Sequence, residues 1–149
     1  MPEAMLKVTV DKFTFDIPRG LFYSEAGIWM KLEHNRVRLG LSDFTQQHSG
    51  DVTFANTRPA GTVLNVGDEF AEIETVKVNV SLHAPVSGTL GEANPVLKDA
   101  AELINQDPYG KGWLAVVELA DWERDRARLL DAETYAALVK GQAEAELKA

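Results

Sequence analysis

The chain has no cysteine among its 149 residues. That absence excludes disulfides, thiolate nucleophiles, Cys-based zinc sites and Cys-ligated iron–sulfur clusters. Any redox or sulfur chemistry must therefore be done by an attached group. Histidine is sparse as well. His34, His48 and His83 stand alone, none spaced from another histidine or a carboxylate as metal ligands are, so no metal site is expected. Positive charge is short: fifteen Lys plus Arg face twenty-three Asp plus Glu, a net charge of −8. Such a chain repels phosphate backbones, so nucleic acid and anionic membranes are poor partners. No apolar run reaches the length of a membrane span, and Met1 to Lys12 shows no basic flank followed by an apolar stretch. A cytoplasmic protein is expected. No Gly-x-Ser-x-Gly elbow or phosphate loop occurs, and no nucleophile sits with a base. A stand-alone enzyme is therefore disfavoured.

What is present suits one soluble domain: 45% apolar and 26% charged residues over a length that buries a real core. The first hundred residues read as strands. Val8, Val10, Phe13 and Phe15 alternate with polar neighbours, and Ile28–Leu32 and Val37–Leu41 flank a four-residue loop, Glu33 to Arg36. Ser42 or Asp43 caps a short helix that ends at Ser49-Gly50. Asp99 with Glu102 predicts a capped helix to about Asn105, a strand follows from Trp113 to Leu119, and Asp121 and Asp131 cap further helices. Tyr135, Leu138 and Val139 fall at helical spacing for docking on a sheet, and residues 140–149 read as a frayed tail.

The most informative stretch is Phe70 to Leu82. Ala71 and Ile73 are apolar at odd positions, whereas Val78, Val80 and Leu82 are apolar at even ones. Side chains of a strand alternate with period two, so the parity switch demands a reversal or kink around Glu74-Thr75-Val76-Lys77. Lys77 then sits at or near a hairpin tip, preceded by Asp68, Glu69, Glu72 and Glu74. Thr89-Leu90 after Gly88 echoes Thr62-Val63 after Gly61, a faint two-fold repeat centred near Lys77. By spacing alone, Lys77 is an exposed turn lysine that a modifying enzyme can reach.

Glu74-Thr75-Val76-Lys77 and Ala84-Pro85-Val86-Ser87-Gly88 stand in an order that resembles the glycine cleavage system H proteins: the first is similar to that family's Glu-Ser-Val-Lys lipoylation motif, the second to its Ser-Pro-Val-Ser-Gly segment. Gly67 and Gly88 stand ten before and eleven after Lys77, at the family's spacing. Asn105 to Leu114 resembles Asn-x-Asp-Pro-Tyr-Gly-x-Gly-Trp-Leu, and Leu130-Asp131-Ala132-Glu133-x-Tyr135 its last helix. The likeness covers about residues 20 to 139. Residues 1–19 form an N-terminal extension, read as packed strand.

The resemblance implies a mainly β barrel-sandwich hybrid: two antiparallel sheets, short peripheral helices and a C-terminal helix. It implies lipoic acid amide-linked to Lys77, a lipoate-protein ligase that attaches it, and a dihydrolipoamide dehydrogenase that reoxidises it. Glu74, Gly67 and Gly88 are the residues it implies for recognition by the ligase. A biotin carrier normally flanks its lysine with methionines, and here Val76 and Val78 stand there. An unmodified binding module is the remaining alternative.

Departures bear on the cargo. Where the family usually has Ser or Glu, His, Glu, Trp, this chain reads Ala26, Gly27, Ile28, Trp29, and the usual Asp four residues after the lysine is Ser81. In the family those polar and acidic groups hold the aminomethyl group on the arm. A cationic amine without such partners is left uncompensated on desolvation. Ala26, Ile28 and Ser81 are thus candidate arm-cleft residues of a more neutral kind. The sequence in this respect resembles the H-like lipoate-binding proteins of bacterial sulfur oxidation. Those work beside a heterodisulfide-reductase-like complex, and the arm would carry sulfur. Glycine cleavage is the alternative.

Overall fold

A computed structural model describes residues 5–148; Met1–Ala4 of the expected extension and Ala149 of the expected tail lie outside the described residues. The strands are β1 (Met5–Val10), β2 (Phe13–Pro18), β3 (Phe22–Tyr23), β4 (Ile28–Glu33), β5 (Arg36–Leu41), β6 (Val52–Thr57), β7 (Val63–Leu64), β8 (Glu69–Thr75), β9 (Asn79–His83), β10 (Gly88–Ala93) and β11 (Ala115–Leu119). The helices are α1 (Asp43–Ser49), α2 (Leu103–Gln106), α3 (Trp122–Asp125) and α4 (Ala132–Lys148), with short 3-10 turns at Pro95–Lys98 and Arg126–Arg128.

Two antiparallel sheets face each other, one six-stranded in the order β3-β4-β5-β11-β10-β7 and one three-stranded in the order β6-β8-β9. The main core lies between them, built from Met30, Leu39, Phe70, Ile73, Val86, Leu90 and Val117 among others. The expected mainly β barrel-sandwich architecture is present. The extension adds a third sheet, the β1–β2 hairpin, in which Val8, Val10, Phe15 and Ile17 are buried. These four join Tyr23, Trp29, Phe44, Tyr135 and Val139 in a second core. The first half of β4, Ile28 to Met30, is buried on both faces. Ile28 and Met30 point into the first core and Trp29 into the second, where its Nε1–H donates to the Pro108 carbonyl at 2.9 Å.

The faint repeat has a structural counterpart: Val63 pairs with Thr89 and Leu64 with Gly88, so the two similar segments lie side by side, antiparallel. The β4–β5 loop is shorter than expected. Glu33 pairs with Arg36, leaving His34-Asn35, with His34 at φ 59°. Asp99 does not start a helix. Pro95, with its fixed φ, opens a 3-10 turn capped by Asn94, and Asp99 closes it. Helix α4 does not fray at 140 but runs to Lys148, because Tyr135, Val139 and Ala143 repeat at i, i+4 and dock on the second core. Asp131 caps it, accepting from the Thr134 N–H at 2.8 Å.

The Asp107-Pro108-Tyr109-Gly110-Lys111-Gly112 turn joins the layers. The Tyr109 hydroxyl donates to the Asp16 carbonyl at 2.6 Å and accepts from the Asp43 N–H at 2.9 Å. A Cβ at Gly112 would collide with the Leu103 carbonyl, which is why the turn needs glycine there. Helix α3 brings Asp125 under Ser87. The buried carboxylate accepts from the Ser87 N–H at 2.8 Å and the Ser87 hydroxyl at 2.7 Å.

Candidate functional site

The parity switch is a hairpin. Strands β8 and β9 pair from Glu69↔His83 to Glu74↔Asn79, and the Thr75 N–H donates to the Val78 carbonyl at 2.8 Å. The Thr75 hydroxyl shapes the tip: it accepts from the Lys77 N–H at 3.1 Å and the Val78 N–H at 3.0 Å. This is the role that a serine or threonine can fill two residues before the lysine. Val78 lies in the turn and is half exposed, so the inward run on the returning strand begins only with Val80 and Leu82.

The tip is held from the side. The Val76 N–H donates to the Asp51 carbonyl at 3.0 Å. Asn105 braces the chain on both sides of Asp51: its Oδ1 accepts from the Val52 N–H at 2.8 Å, and its Nδ2 donates to the Gly50 carbonyl at 3.0 Å and to Gln46 Oε1 at 2.9 Å. Lys77 is exposed, and its Nζ donates to the His48 carbonyl, at the C-terminus of α1, at 3.1 Å. The lysine stem passes Gly50, which sits at φ +92° and whose Cβ, if it had one, would lie 3.0 Å from Lys77 Cε. Sequence reasoning missed Asn105, His48, Gly50 and Asp51 as supports, because the signal lies in a contact between distant segments.

Glu74 is half-buried beside the tip, with Thr53 Oγ1 donating to its carbonyl at 3.2 Å. Gly67 and Gly88 do not come to the tip. Gly67 lies beyond Glu69 at the opposite end of the β8–β9 hairpin, roughly 20 Å away at the usual rise per strand residue. It occupies a turn at φ +95°. Gly88 begins β10, where a Cβ would collide with the Glu118 carbonyl oxygen.

The three arm-cleft candidates are dispersed. Ala26 is exposed in the turn before β4 and lines a cavity of about 250 Å³ with Phe44, Thr45, His48, Tyr135 and Gln142. Ile28 is buried in the first core, and Ser81 is exposed on β9 opposite Glu72. A second cavity, of about 230 Å³, opens directly beside Lys77. His48 lines both cavities, and its Nδ1 lies 2.9 Å from Glu146 on α4. Behind them the Tyr135 hydroxyl lies 2.6 Å from Ser42 Oγ. Burial pushes the Tyr135 phenol above its ordinary value. Among the described residues no cluster of three or more His, Asp or Glu groups suits a metal, and no helix is long and apolar enough to cross a membrane.

A rigid antiparallel sandwich that presents an exposed lysine on a braced hairpin tip is the architecture of the lipoyl-domain class. The family model for the glycine cleavage H-protein matches residues 21–142, and the chain belongs to that family. It is 40% identical over 124 residues to the glycine cleavage system H protein of Oceanobacillus iheyensis, covering 83% of this chain and 98% of that one. It is 46% identical over 103 residues to that of Coprothermobacter proteolyticus, covering 68% and 81%. A crystal structure of a glycine cleavage system H protein from Mycobacterium marinum superposes with a TM-score of 0.74 at 29% identity, over 81% of this chain and 97% of that one. Glycine cleavage H proteins are non-catalytic carriers with lipoic acid covalently attached to a lysine.

Proposed function

We propose that Lys77 is the lipoylated lysine and that the chain carries a group on that arm between the active sites of separate enzymes. The observation that supports this most is the setting of Lys77: an exposed amine on a turn fixed by Thr75 and by the Val76–Asp51 bond, within the Glu-Thr-Val-Lys segment. The amine is free to be acylated while its backbone stays in one place. The lipoyl group, when bound, supplies the dithiol and disulfide couple that this cysteine-free chain lacks. The residues around it do the rest. Thr75 and Asn105 keep the tip rigid, and the tether raises the local concentration of the arm's end at a docked enzyme. Lipoate-protein ligase and dihydrolipoamide dehydrogenase are the partners this role requires.

For the cargo, similarity favours the glycine cleavage reading, since the relatives named above are H proteins of that system. The partner enzymes are then those that load and unload an aminomethyl group. A sulfur-oxidation role beside a heterodisulfide-reductase-like complex is the second reading. Its support is in the sequence alone: Ala26, Ile28 and Ser81 put no acid at the three family positions, whereas the fold disperses them and Glu25 lines the cavity beside Ala26. Intact mass and peptide mapping test the first claim. A lipoyl increment on Lys77 is expected, and Lys77→Arg should remove it while leaving stability within about 0.5 kcal/mol, as for other exposed positions. A bare Lys77 in native material would overturn the carrier reading. Loading with methylamine by glycine decarboxylase then separates the cargoes: acceptance eliminates the sulfur reading, and refusal favours it.

A further inference from the structure

The cavity beside Lys77 is built largely by parts of the chain outside the family match. That match begins at residue 21 and ends at 142. Phe13 and Phe15 come from the β1–β2 hairpin and Leu147 from the last turns of α4, and they meet Phe44 and His48 of α1 around Lys77 itself. The aromatic wall is continuous. Phe13 stacks near Phe15 at 6.5 Å between ring centres, Phe15 meets Phe44 edge-on at 5.0 Å, and Phe44 stacks on His48 at 5.9 Å. Phe13 and Leu147 are 44% and 52% exposed, an apolar rim that the free chain leaves in water. At about 230 Å³ the cavity exceeds the ~150 Å³ that accommodates a benzene ring, so a five-membered disulfide ring and a short alkyl stretch fit it. Divalent sulfur makes favourable contacts with aromatic ring edges.

We propose that this cavity is the resting berth of the arm's own dithiolane end, a site separate from the Ala26 cavity and reached by the lipoyl chain folding back from Lys77. The proposal rests on the reading that Lys77 carries lipoic acid. It commits to that occupant because Lys77 is itself part of the cavity wall, so the ring is delivered there by its own tether. The extensions then serve the arm: they shelter the disulfide between encounters and release it to a docked enzyme.

The experiment uses the full chain in unmodified, octanoylated and lipoylated forms, each checked by intact mass, with aromatic and methyl NMR spectra and the rate of dithiolane reduction by a small phosphine. Lipoylation is expected to move the resonances of Phe13, Phe15, Phe44 and Leu147. Leu147→Asp should abolish those changes, and an arm berthed two-thirds of the time would be reduced about threefold more slowly than in that variant. Phe13→Ser, at another exposed rim position, is the second variant should the first perturb α4. Shifts confined to residues 74–80, or equal reduction rates in the lipoylated wild type, Leu147→Asp and Phe13→Ser proteins, would overturn the berth. Shifts that depend on protein concentration would overturn it in favour of a second copy covering the rim. A missing lipoyl increment would overturn the carrier reading first, and is seen by mass before any spectrum is taken.

Discussion

Replacing Gly88 by alanine separates two explanations of a glycine that the family pattern places at a fixed distance from the lysine. If the glycine is read by the ligase, the variant folds normally and is modified poorly. The structure argues for packing instead. A Cβ at Gly88 would overlap the Glu118 carbonyl oxygen and lie 2.9 Å from both the Glu118 carbonyl carbon and Val117 Cγ1. Two of these three atoms belong to the backbone of β11, which sits between β5 and β10 and cannot swing aside as a side-chain tip can. Overpacking of this kind costs about 1–3 kcal/mol, and a backbone obstacle puts Gly88→Ala at the upper end, about 3 kcal/mol. For a chain of this size that is roughly 6–12 °C in Tm. Gly67→Ala is the internal control. No atom lies within 4 Å of its Cβ position, and only the backbone at φ +95° resists, so the cost is about 1 kcal/mol, or roughly 2–4 °C. Thermal unfolding by circular dichroism gives the Tm values, and intact mass after incubation with lipoate ligase gives the extent of modification. Both variants should be modified fully at a temperature where they are folded. A Gly88→Ala protein with unchanged Tm and lost lipoylation would refute the packing argument.

Tyr135→Phe removes the hydroxyl 2.6 Å from buried Ser42 Oγ and should lower stability by about 1–3 kcal/mol in denaturant titration, without changing lipoylation. Asp125→Asn should cost about 1.5–3 kcal/mol at neutral pH, the range for hydrogen bonds to a charged group. Burial alone would raise the Asp125 pKa, but the Ser87 N–H, the Ser87 hydroxyl and the Arg124 guanidinium outweigh it, and the net shift is downward. A lowered folded-state pKa means that the carboxylate's contribution is complete above the ordinary Asp range, around pH 4, and is lost as pH falls through the lower folded value. The stability gap between wild type and Asp125→Asn should therefore narrow below about pH 4 and stay constant above it, and a gap that widened on acidification would be inconsistent with this sign.

The Lys77 hairpin could be located in the sequence because a strand cannot change its inward parity silently, and Ala71, Ile73, Val80 and Leu82 carried that information locally. Helix α1 was equally local, with Ser42 accepting from the Thr45 N–H at its start and Gly50 at its end. What could not be read depended on distant partners. Trp29 is buried in a second core that distant segments complete, with Pro108 and Tyr109 against its ring, and a polar, alanine-rich tail becomes a docked helix because Ala143 meets the same core. Asp99 and Glu102 have the spacing of a cap, but Pro95 dictates the local turn first. At the site, the place of Lys77 at an exposed hairpin tip was legible from the parity switch, whereas Ala26, Ile28 and Ser81 were grouped by family position and the fold sends them to a surface turn, the first core and an outer sheet face. The cavity that does adjoin the lysine is made by segments whose sequence gave no reason to connect them.

If Lys77 is the modified lysine, as proposed, its contact with the His48 carbonyl would give lipoylation a second effect. The last carbonyls of a helix lack partners within it, and a cation there is favoured by the helix's negative end, by about 0.3–1 kcal/mol at an exposed site. Acylation replaces that cation with a neutral amide and leaves the chain one unit more negative than −8. The unmodified lysine is thus drawn to α1 by its charge, and acylation would remove that charge while leaving one amide N–H able to donate to the same carbonyl. Blank protein and carrier differ in what leashes the side chain as well as in its reach. The first would be held by electrostatics that salt weakens, the second, at the berth proposed above, by apolar contact that salt leaves intact.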